Sequence, residues 1–191
     1  MKALSRRAAT YQDLLDAPEN MVAELIDGDL YTWQRPAGPH ADMSSVLGML
    51  IGSPYRLGRG GPGGWWIVDE PELHLGEQVV VPDLAGWRRE RMPRIPKDRF
   101  TVSPDWVCEV ISPSTLRIAR GKKMRIYAEH EVAWMWVGDP IGRLLEVLTL
   151  AGDNWKFVVT FSGGDVVRAD PFPEAAIDLA SIWGVDEEPG E

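Results

Sequence analysis

The sequence predicts an α/β or α+β protein with a mixed β-sheet core flanked by helices and additional antiparallel hairpins. A near-continuous apolar run at Trp106–Ile111 precedes a helical segment that reaches about His130, and the apolar stretch "VAWMWVGDP" then ends at Pro140. This strand–helix–strand order is typical of a right-handed crossover between parallel strands. Antiparallel pairing is indicated by "RLLEVLTL" and "WKFVVTF", which surround the turn residues "AGDN".

The elements before the crossover follow from short-range patterns. Thr10 and Asp13 form a capping-box pattern that begins a short helix over "YQDLLDA". Two short strands are predicted on either side of an Asp27-Gly28 turn. From His40 to about Ile51, apolar residues recur at the i, i+3 and i+4 spacing of a helix.

Three further elements complete the prediction. Strands are expected over "WWIVDEPELHL" and "VVVPDLAGW", separated by a "GEQ" turn. Ser114 or Thr115 is expected to cap the crossover helix. The segment "FPEAAIDLASIW" is interpreted as a closing helix, and we predict one domain over residues 1–185 with a frayed acidic tail over 186–191.

Composition excludes several classes of protein. The longest apolar run, Val132–Val137, is far shorter than the roughly 20 residues that cross a bilayer, so no membrane segment is expected. The first residues lack the apolar core of a signal peptide. The single cysteine, Cys108, excludes an intrachain disulfide and suits a reducing compartment. We therefore expect a cytoplasmic protein.

Charge is distributed unevenly along the chain. The 20 basic and 29 acidic residues give a net charge of −9, which disfavours tight non-specific binding to nucleic acid. The segment Gly86–Arg99, "GWRRERMPRIPKDR", nevertheless concentrates positive charge. A solvated loop is the commoner explanation of such a run, and a local basic groove is the alternative.

Two acids interrupt apolar strands, Asp83 in "VVVPDLAGW" and Glu109 in "DWVCEVIS". A buried carboxylate is costly unless it is paired, hydrogen-bonded or bound to a metal, and a structural hydrogen bond explains either acid alone. Two carboxylates on neighbouring strands would repel each other, and a divalent cation resolves that conflict. Magnesium characteristically uses one or two carboxylates together with water and substrate phosphates. The pattern therefore predicts a magnesium site at Asp83 and Glu109, with Asp83 in mid-strand.

Helical periodicity selects a third residue, Lys123. At about 100° per residue, Lys123 and Arg120 fall in the inward stripe that contains Tyr127, whereas Lys122 and Arg125 point outward. A lysine at the edge of the stripe that extends to solvent is the alternative. Facing the sheet, Lys123 would steady an attacking water or a phosphate oxygen. Two acids, a lysine and a metal ion suit hydrolysis of a phosphodiester.

These residues belong to a longer ordered string that resembles a known family. The string includes "ELIDGDLY", "GGWWIVDEPELHLG", "VVVPDLAGWRRERMP", "PDWVCEVISPST" and "RGKKMRIYAEHEV". It resembles the bacterial Uma-type restriction endonuclease family, a branch of the PD-(D/E)XK nuclease superfamily with the restriction endonuclease-like fold. The resemblance implies magnesium-dependent cleavage of DNA, with Mn²⁺ able to substitute, by a homodimer.

The resemblance also assigns residues. Asp83 matches the first acid of the family and Glu109 the second, both as metal ligands. Lys123 matches the catalytic lysine, which this branch carries on the following helix. Glu24 and Glu72 match further acids typical of the family. They either complete a metal shell and orient its waters, or form structural hydrogen bonds.

Departures from the family pattern leave other functions open. His40 matches the pattern, although a histidine that opens a helix is more often a cap or a core contact. Ala119 stands where an acid is usual next to Lys123, and the loss of that acid would weaken catalysis. A catalytically degenerate fold that serves as a dimerisation or partner-binding module is therefore the second hypothesis. Hydrolysis of a small phosphate ester or nucleotide is the third.

Overall fold

Two β-sheets and a short ribbon make up the β-structure in a computed structural model that describes residues 7–35, 38–112 and 116–183. The four-stranded sheet has the order β2-β1-β5-β4, the six-stranded sheet the order β10-β9-β8-β7-β6-β3, and the ribbon pairs β11 with β12. The strands are β1 (Met21–Ile26), β2 (Asp29–Gln34), β3 (Trp65–Asp69), β4 (Leu73–Leu75), β5 (Gln78–Val80), β6 (Leu84–Arg88), β7 (Trp106–Val110), β8 (Trp134–Asp139), β9 (Leu144–Ala151), β10 (Asn154–Ser162), β11 (Val166–Val167) and β12 (Ile177–Asp178).

Helices cover both faces of the larger sheet. The predicted capping box of Thr10 and Asp13 is present at the first helix, and the helix that opens near His40 is confirmed. The crossover segment is α-helical at both ends and has a π-helical turn in the middle. The helices are α1 (Tyr11–Leu15), α2 (Pro39–Ile51) with a π-helical turn after it (Gly52–Arg56), α3 (Leu116–Ile118), the π-helical turn Ala119–Lys123, and α4 (Met124–Glu129). Among the described residues, none of these helices has the length and apolarity needed to cross a bilayer.

Strand pairing confirms the predicted mixed sheet. β7 and β8 run parallel on either side of the crossover helix, with Cys108 opposite Trp136. The other neighbours in the six-stranded sheet pair antiparallel. The predicted hairpins β1–β2 and β9–β10 are also present.

Side chains along β7 point alternately to the two faces of the sheet, and this alternation sets the direction of Glu109. Trp106, Cys108 and Val110 belong to the core that α2 covers. Val107 belongs to the core on the opposite face, which α4 covers. Because successive strand residues point to opposite faces, Glu109 projects towards α4.

The prediction that Asp83 lies in the middle of one strand is wrong. "VVVPDLAGW" divides into β5, which belongs to the four-stranded sheet, and β6, which belongs to the six-stranded sheet. Pro82 has no N–H to donate to a strand partner, and the N–H of Val81 donates to a Glu24 carboxylate oxygen (2.8 Å). Asp83 therefore lies between the two sheets, immediately before β6.

Two other predicted elements also differ. "WWIVDEPELHL" forms β3 and β4 rather than one strand, because the backbone turns at Glu70, whose φ is 42°, just before Pro71. The predicted closing helix is wrong, since Ile177 pairs with Val167 in the ribbon and a 3₁₀ turn occupies Leu179–Ser181. The expected cap at Ser114 or Thr115 and the predicted tail over 186–191 lie outside the described residues.

Candidate active site

A cleft of about 500 Å³ lies where the four-stranded sheet, the C-terminal end of β7 and the crossover helix come together. Acids from four different segments line it, and three basic side chains face them. All three residues predicted as catalytic are among the lining residues. The charged lining consists of Glu24, Glu70, Asp83, Glu109, Arg35, His40 and Lys123.

Lys123 is the cationic centre of this cleft and is only 5 % exposed. Its Nζ lies 2.7 Å and 2.9 Å from the two oxygens of Glu109 and 3.0 Å from Oε1 of Glu24. Nζ also donates to the carbonyl of Val81 (2.9 Å). An ammonium has three N–H donors, and three groups of the protein accept from Lys123. Burial alone would lower the pKa of Lys123, but Glu109 and Glu24 outweigh burial and raise that pKa.

Glu109 is buried beneath the cleft with both oxygens engaged. Oε1 accepts a hydrogen bond from the hydroxyl of Tyr127 (2.5 Å), in addition to the contact of both oxygens with Lys123. Burial raises the pKa of Glu109 to about 7, Lys123 opposes that rise, and the negative charges of Asp83 and Glu24 add to it. The site therefore has an excess of negative charge, which an added cation would relieve.

Each carboxylate oxygen of Asp83 has one hydrogen-bonding partner. Oδ2 accepts from the backbone N–H of Val110 (2.7 Å), the residue after Glu109, and Oδ1 lies 2.5 Å from Nε2 of His40. Burial lowers the pKa of His40, but the hydrogen bond to Asp83 and its charge reverse that effect, so the pKa of His40 is raised. Each carboxylate oxygen of Asp83 keeps a second lone pair. Asp83 can therefore still bind a cation.

The structure separates the two further acids that the resemblance suggested. Glu24 lines the cleft, is 2 % exposed, and accepts from Nε1 of Trp33 (2.8 Å) as well as from Val81. Glu72 does not line the cleft and instead contacts Tyr11 and His74. Glu24 thus belongs to the site, and Glu72 belongs to a separate hydrogen-bonded group.

The predicted inward stripe of the crossover helix is correct for Lys123 and Tyr127 and wrong for Arg120. Lys123 and Tyr127 are buried, but Arg120 is exposed and pairs with Glu146 (2.5 Å). A π-helical turn over Ala119–Lys123 holds an extra residue, so a constant 100° per residue does not describe this segment. Ala119 is buried and lines the cleft. Since three other groups accept from Lys123, the lysine is fixed without an acid at position 119.

Carboxylate oxygens, which are typical ligands of a hard cation such as magnesium, are the anionic groups of the cleft. Within residues 7–35, 38–112 and 116–183, no group of three or more His, Cys, Asp or Glu side chains is arranged to hold a metal ion. A dedicated protein cage is therefore absent from the described chain. Two carboxylates, Asp83 and Glu109, in a cleft with excess negative charge match the small number of protein ligands that magnesium uses.

Several residues in or next to the cleft were not predicted from the sequence. Tyr127 was placed on the same helical stripe as Lys123 but received no role, and its hydroxyl proves to bond Glu109. Arg35 and Glu70 form an ion pair (3.3 Å) at the more exposed side of the cleft. No local pattern indicates either residue, because the hairpin and the loop that carry them meet only in the folded chain.

Fold and site together define a nuclease-like α+β protein with buried acids around a lysine. A family model described as "Putative restriction endonuclease" matches residues 8–180, and the chain belongs to this family, Uma2. A comparison with curated proteins gave no match. The structure is similar to a crystal structure described as a putative nuclease belonging to DUF820 from Anabaena variabilis ATCC 29413, with a TM-score of 0.72 at 21 % identity. The similarity covers 92 % of this chain and 97 % of the other and shows a shared fold.

Proposed function

We propose that this protein is a magnesium-dependent endonuclease that hydrolyses phosphodiester bonds in DNA, with Asp83 and Glu109 as metal ligands. The observation that carries the proposal is the convergence of these two acids and Lys123 in one cleft. Membership of the Uma2 family supports DNA as the substrate. The homodimer and the bacterial, cytoplasmic setting stay predictions.

Each buried group would have a different role in the proposed reaction. Bound magnesium would polarise a phosphoryl oxygen and lower the pKa of a nearby water. Once the Glu109 carboxylate serves as a metal ligand, Lys123 keeps Glu24 and the Val81 carbonyl as partners. One N–H of Lys123 is then free to donate to a phosphate oxygen and stabilise its developing charge. Glu24 is a positioning residue in this scheme, since it holds Lys123 in the cleft.

The direct test is cleavage of supercoiled plasmid with Mg²⁺ or Mn²⁺. We expect wild type to nick the plasmid with either ion and not in EDTA, and Glu109→Gln to lose the activity. Glu72→Gln is the matched control, because Glu72 is also an acid of the family pattern but lies outside the cleft, and it should cleave like wild type. Turnover of a chromogenic phosphodiester without DNA cleavage would favour the small-ester hypothesis, and no cleavage with any divalent ion would favour the degenerate module.

The affinity for Mg²⁺ should fall as the pH drops below about 7. Glu109 has a pKa of about 7 without metal and must be deprotonated to act as a ligand. Protons therefore compete with the metal below that pH, and the affinity should fall by up to about tenfold per pH unit for this one proton. Isothermal titration calorimetry in buffers of different ionisation enthalpy measures the released proton directly.

His40 contacts Asp83 and could release a proton of its own. The His40→Gln variant separates the two contributions, because it removes the titratable imidazole and keeps both proposed carboxylate ligands. Proton release that persists in this variant below pH 7 assigns the proton to Glu109. Affinity for Mg²⁺ that is the same at pH 6 and pH 8 in both proteins would contradict Glu109 as a ligand.

A further inference from the structure

Two groups of basic side chains can be distinguished among the described residues. The first group forms ion pairs with carboxylates and consists of Arg7, Arg35, Arg91, Arg120, Lys122, Lys123 and Arg125. The second group lies around the C-terminal end of β6 and on the segment that follows it. In the part of the chain that the structure describes, its members form no ion pair with a carboxylate. We name this group the basic surface: Arg56, Arg88, Arg89, Arg94, Lys97 and Arg99.

Two tryptophans fix part of the basic surface in place. The guanidinium of Arg88 lies 4.8 Å from the ring centre of Trp65, and that of Arg89 lies 4.2 Å from the ring centre of Trp66. Arg89 also donates to the carbonyls of Trp65 (3.2 Å) and Arg56 (2.7 Å). Carbonyls and aromatic rings carry no net charge, so these contacts position the guanidinium groups without neutralising them. A pre-oriented guanidinium loses little freedom when it binds an anion.

These contacts also determine which groups of the basic surface a ligand can reach. Trp65 is only 4 % exposed, and both rings lie beneath arginines, so stacking of unpaired bases on them is blocked. Arg89 and Arg56 donate to the carbonyls of Trp65 and Ile67 on the edge strand β3. These side chains cover the edge against the addition of a further strand. Exposed cations remain, and they suit phosphates rather than bases or a peptide strand.

The cleft itself needs such a surface. Its lining contains four acids, and the whole chain has a net charge of −9, so DNA is repelled from most of the protein. We propose that the basic surface binds the phosphate backbone of duplex DNA and holds it beside the cleft, an inference that rests on the proposed function. The contact is independent of sequence, because phosphates position a duplex without reporting its bases.

The length of β6 separates the cleft from the nearest arginine of the basic surface. β6 runs from Leu84, next to Asp83, to Arg88, which is about 13 Å at roughly 3.3 Å per residue. That length corresponds to about four base pairs at roughly 3.4 Å each. In the proposed complex, phosphates about four base pairs from the scissile bond contact the basic surface while the scissile phosphate is in the cleft.

The salt dependence of DNA binding tests this inference. A short fluorescent duplex is titrated with protein over a series of salt concentrations, with Ca²⁺ in place of Mg²⁺, and the affinity is measured by anisotropy. The Arg94→Ala/Lys97→Ala variant removes two exposed side chains that form no hydrogen bond within the described chain. Each lost phosphate contact lowers the slope of log affinity against log salt by about 0.9, so the slope should fall by about two in this variant.

The control removes the same charge elsewhere. Lys156→Ala/Arg168→Ala changes two exposed basic residues outside the basic surface and should keep the slope of wild type. Equal slopes for all three proteins, or wild type that fails to bind the duplex, would overturn the inference. Metal-dependent nicking tests the proposed function separately. Nicking by wild type together with equal slopes would reject only the proposed role of the basic surface in binding DNA.

Discussion

Replacing Lys123 by methionine is expected to lower the free energy of unfolding by about 3–5 kcal/mol at neutral pH. Lys123 is the shared partner of Glu109 and Glu24, and all three side chains are buried. Methionine fills a similar volume but leaves the two carboxylates close together without a cation. Urea or guanidinium denaturation measures the loss, and the remaining fold is checked by circular dichroism.

The loss caused by Lys123→Met should depend on pH in a definite direction. Without the lysine, which opposes the effect of burial, the pKa of Glu109 in the folded protein rises further above its unfolded value of about 4.3. A group with a raised folded pKa favours folding at low pH and loses that advantage as the pH rises. The deficit relative to wild type should therefore be smallest near pH 4 and grow as the pH rises through neutrality.

Two variants make this prediction specific. Lys122→Met is the matched control, because Lys122 is the neighbouring lysine but is partly exposed and pairs with Asp27 at the surface. It should cost less than about 1 kcal/mol. The double variant Lys123→Met/Glu109→Gln removes one of the two stranded carboxylates and should recover part of the lost stability. A loss in Lys123→Met as small as that in Lys122→Met would contradict the buried cluster.

The parts of this site that the sequence predicted depend on local periodicity. The alternation of β7 sets the direction of Glu109, and the spacing along the crossover helix places Lys123 and Tyr127 on one face. These patterns act over a few residues, so the tertiary structure changes them little. The π-helical turn at Ala119–Lys123 shows the limit of such reasoning, because it shifted Arg120 out of the predicted stripe.

Features that depend on distant parts of the chain were not predictable in the same way. Glu24 reaches Lys123 only because β1 pairs with β5, which also brings the N–H of Val81 to the same carboxylate. Pro82 is visible in the sequence, but one strand was predicted across it, because the change from one sheet to the other depends on that distant pairing. In the C-terminal part of the chain, Ile177 pairs with Val167 in a ribbon and does not form the predicted helix. This pairing again depends on a partner outside the local sequence pattern.

Replacing Asp83 by asparagine is expected to abolish stabilisation of the protein by Mg²⁺ and with it the proposed DNA cleavage. Asparagine keeps the size of the side chain and an oxygen that accepts from Val110, so the fold around β6 should persist. It removes one negative charge, and that charge helps to raise the pKa of Glu109. The relief of repulsion on Glu109 offsets the weaker contact with His40, so the metal-free variant should be close to wild type in stability.

The two effects of Asp83→Asn are measured in one thermal or denaturant series with and without Mg²⁺. At a concentration of 100 Kd, a ligand stabilises the folded state by about 2.7 kcal/mol, and a variant that binds about 100-fold more weakly gains only about 0.4 kcal/mol. Glu70→Gln is the control within the same cleft, because Glu70 pairs with Arg35 and is not a proposed ligand. Since this control also removes one acid, a general loss of negative charge would weaken both variants alike, whereas a metal site at Asp83 weakens only Asp83→Asn. Stabilisation of Asp83→Asn equal to that of wild type would place the metal elsewhere.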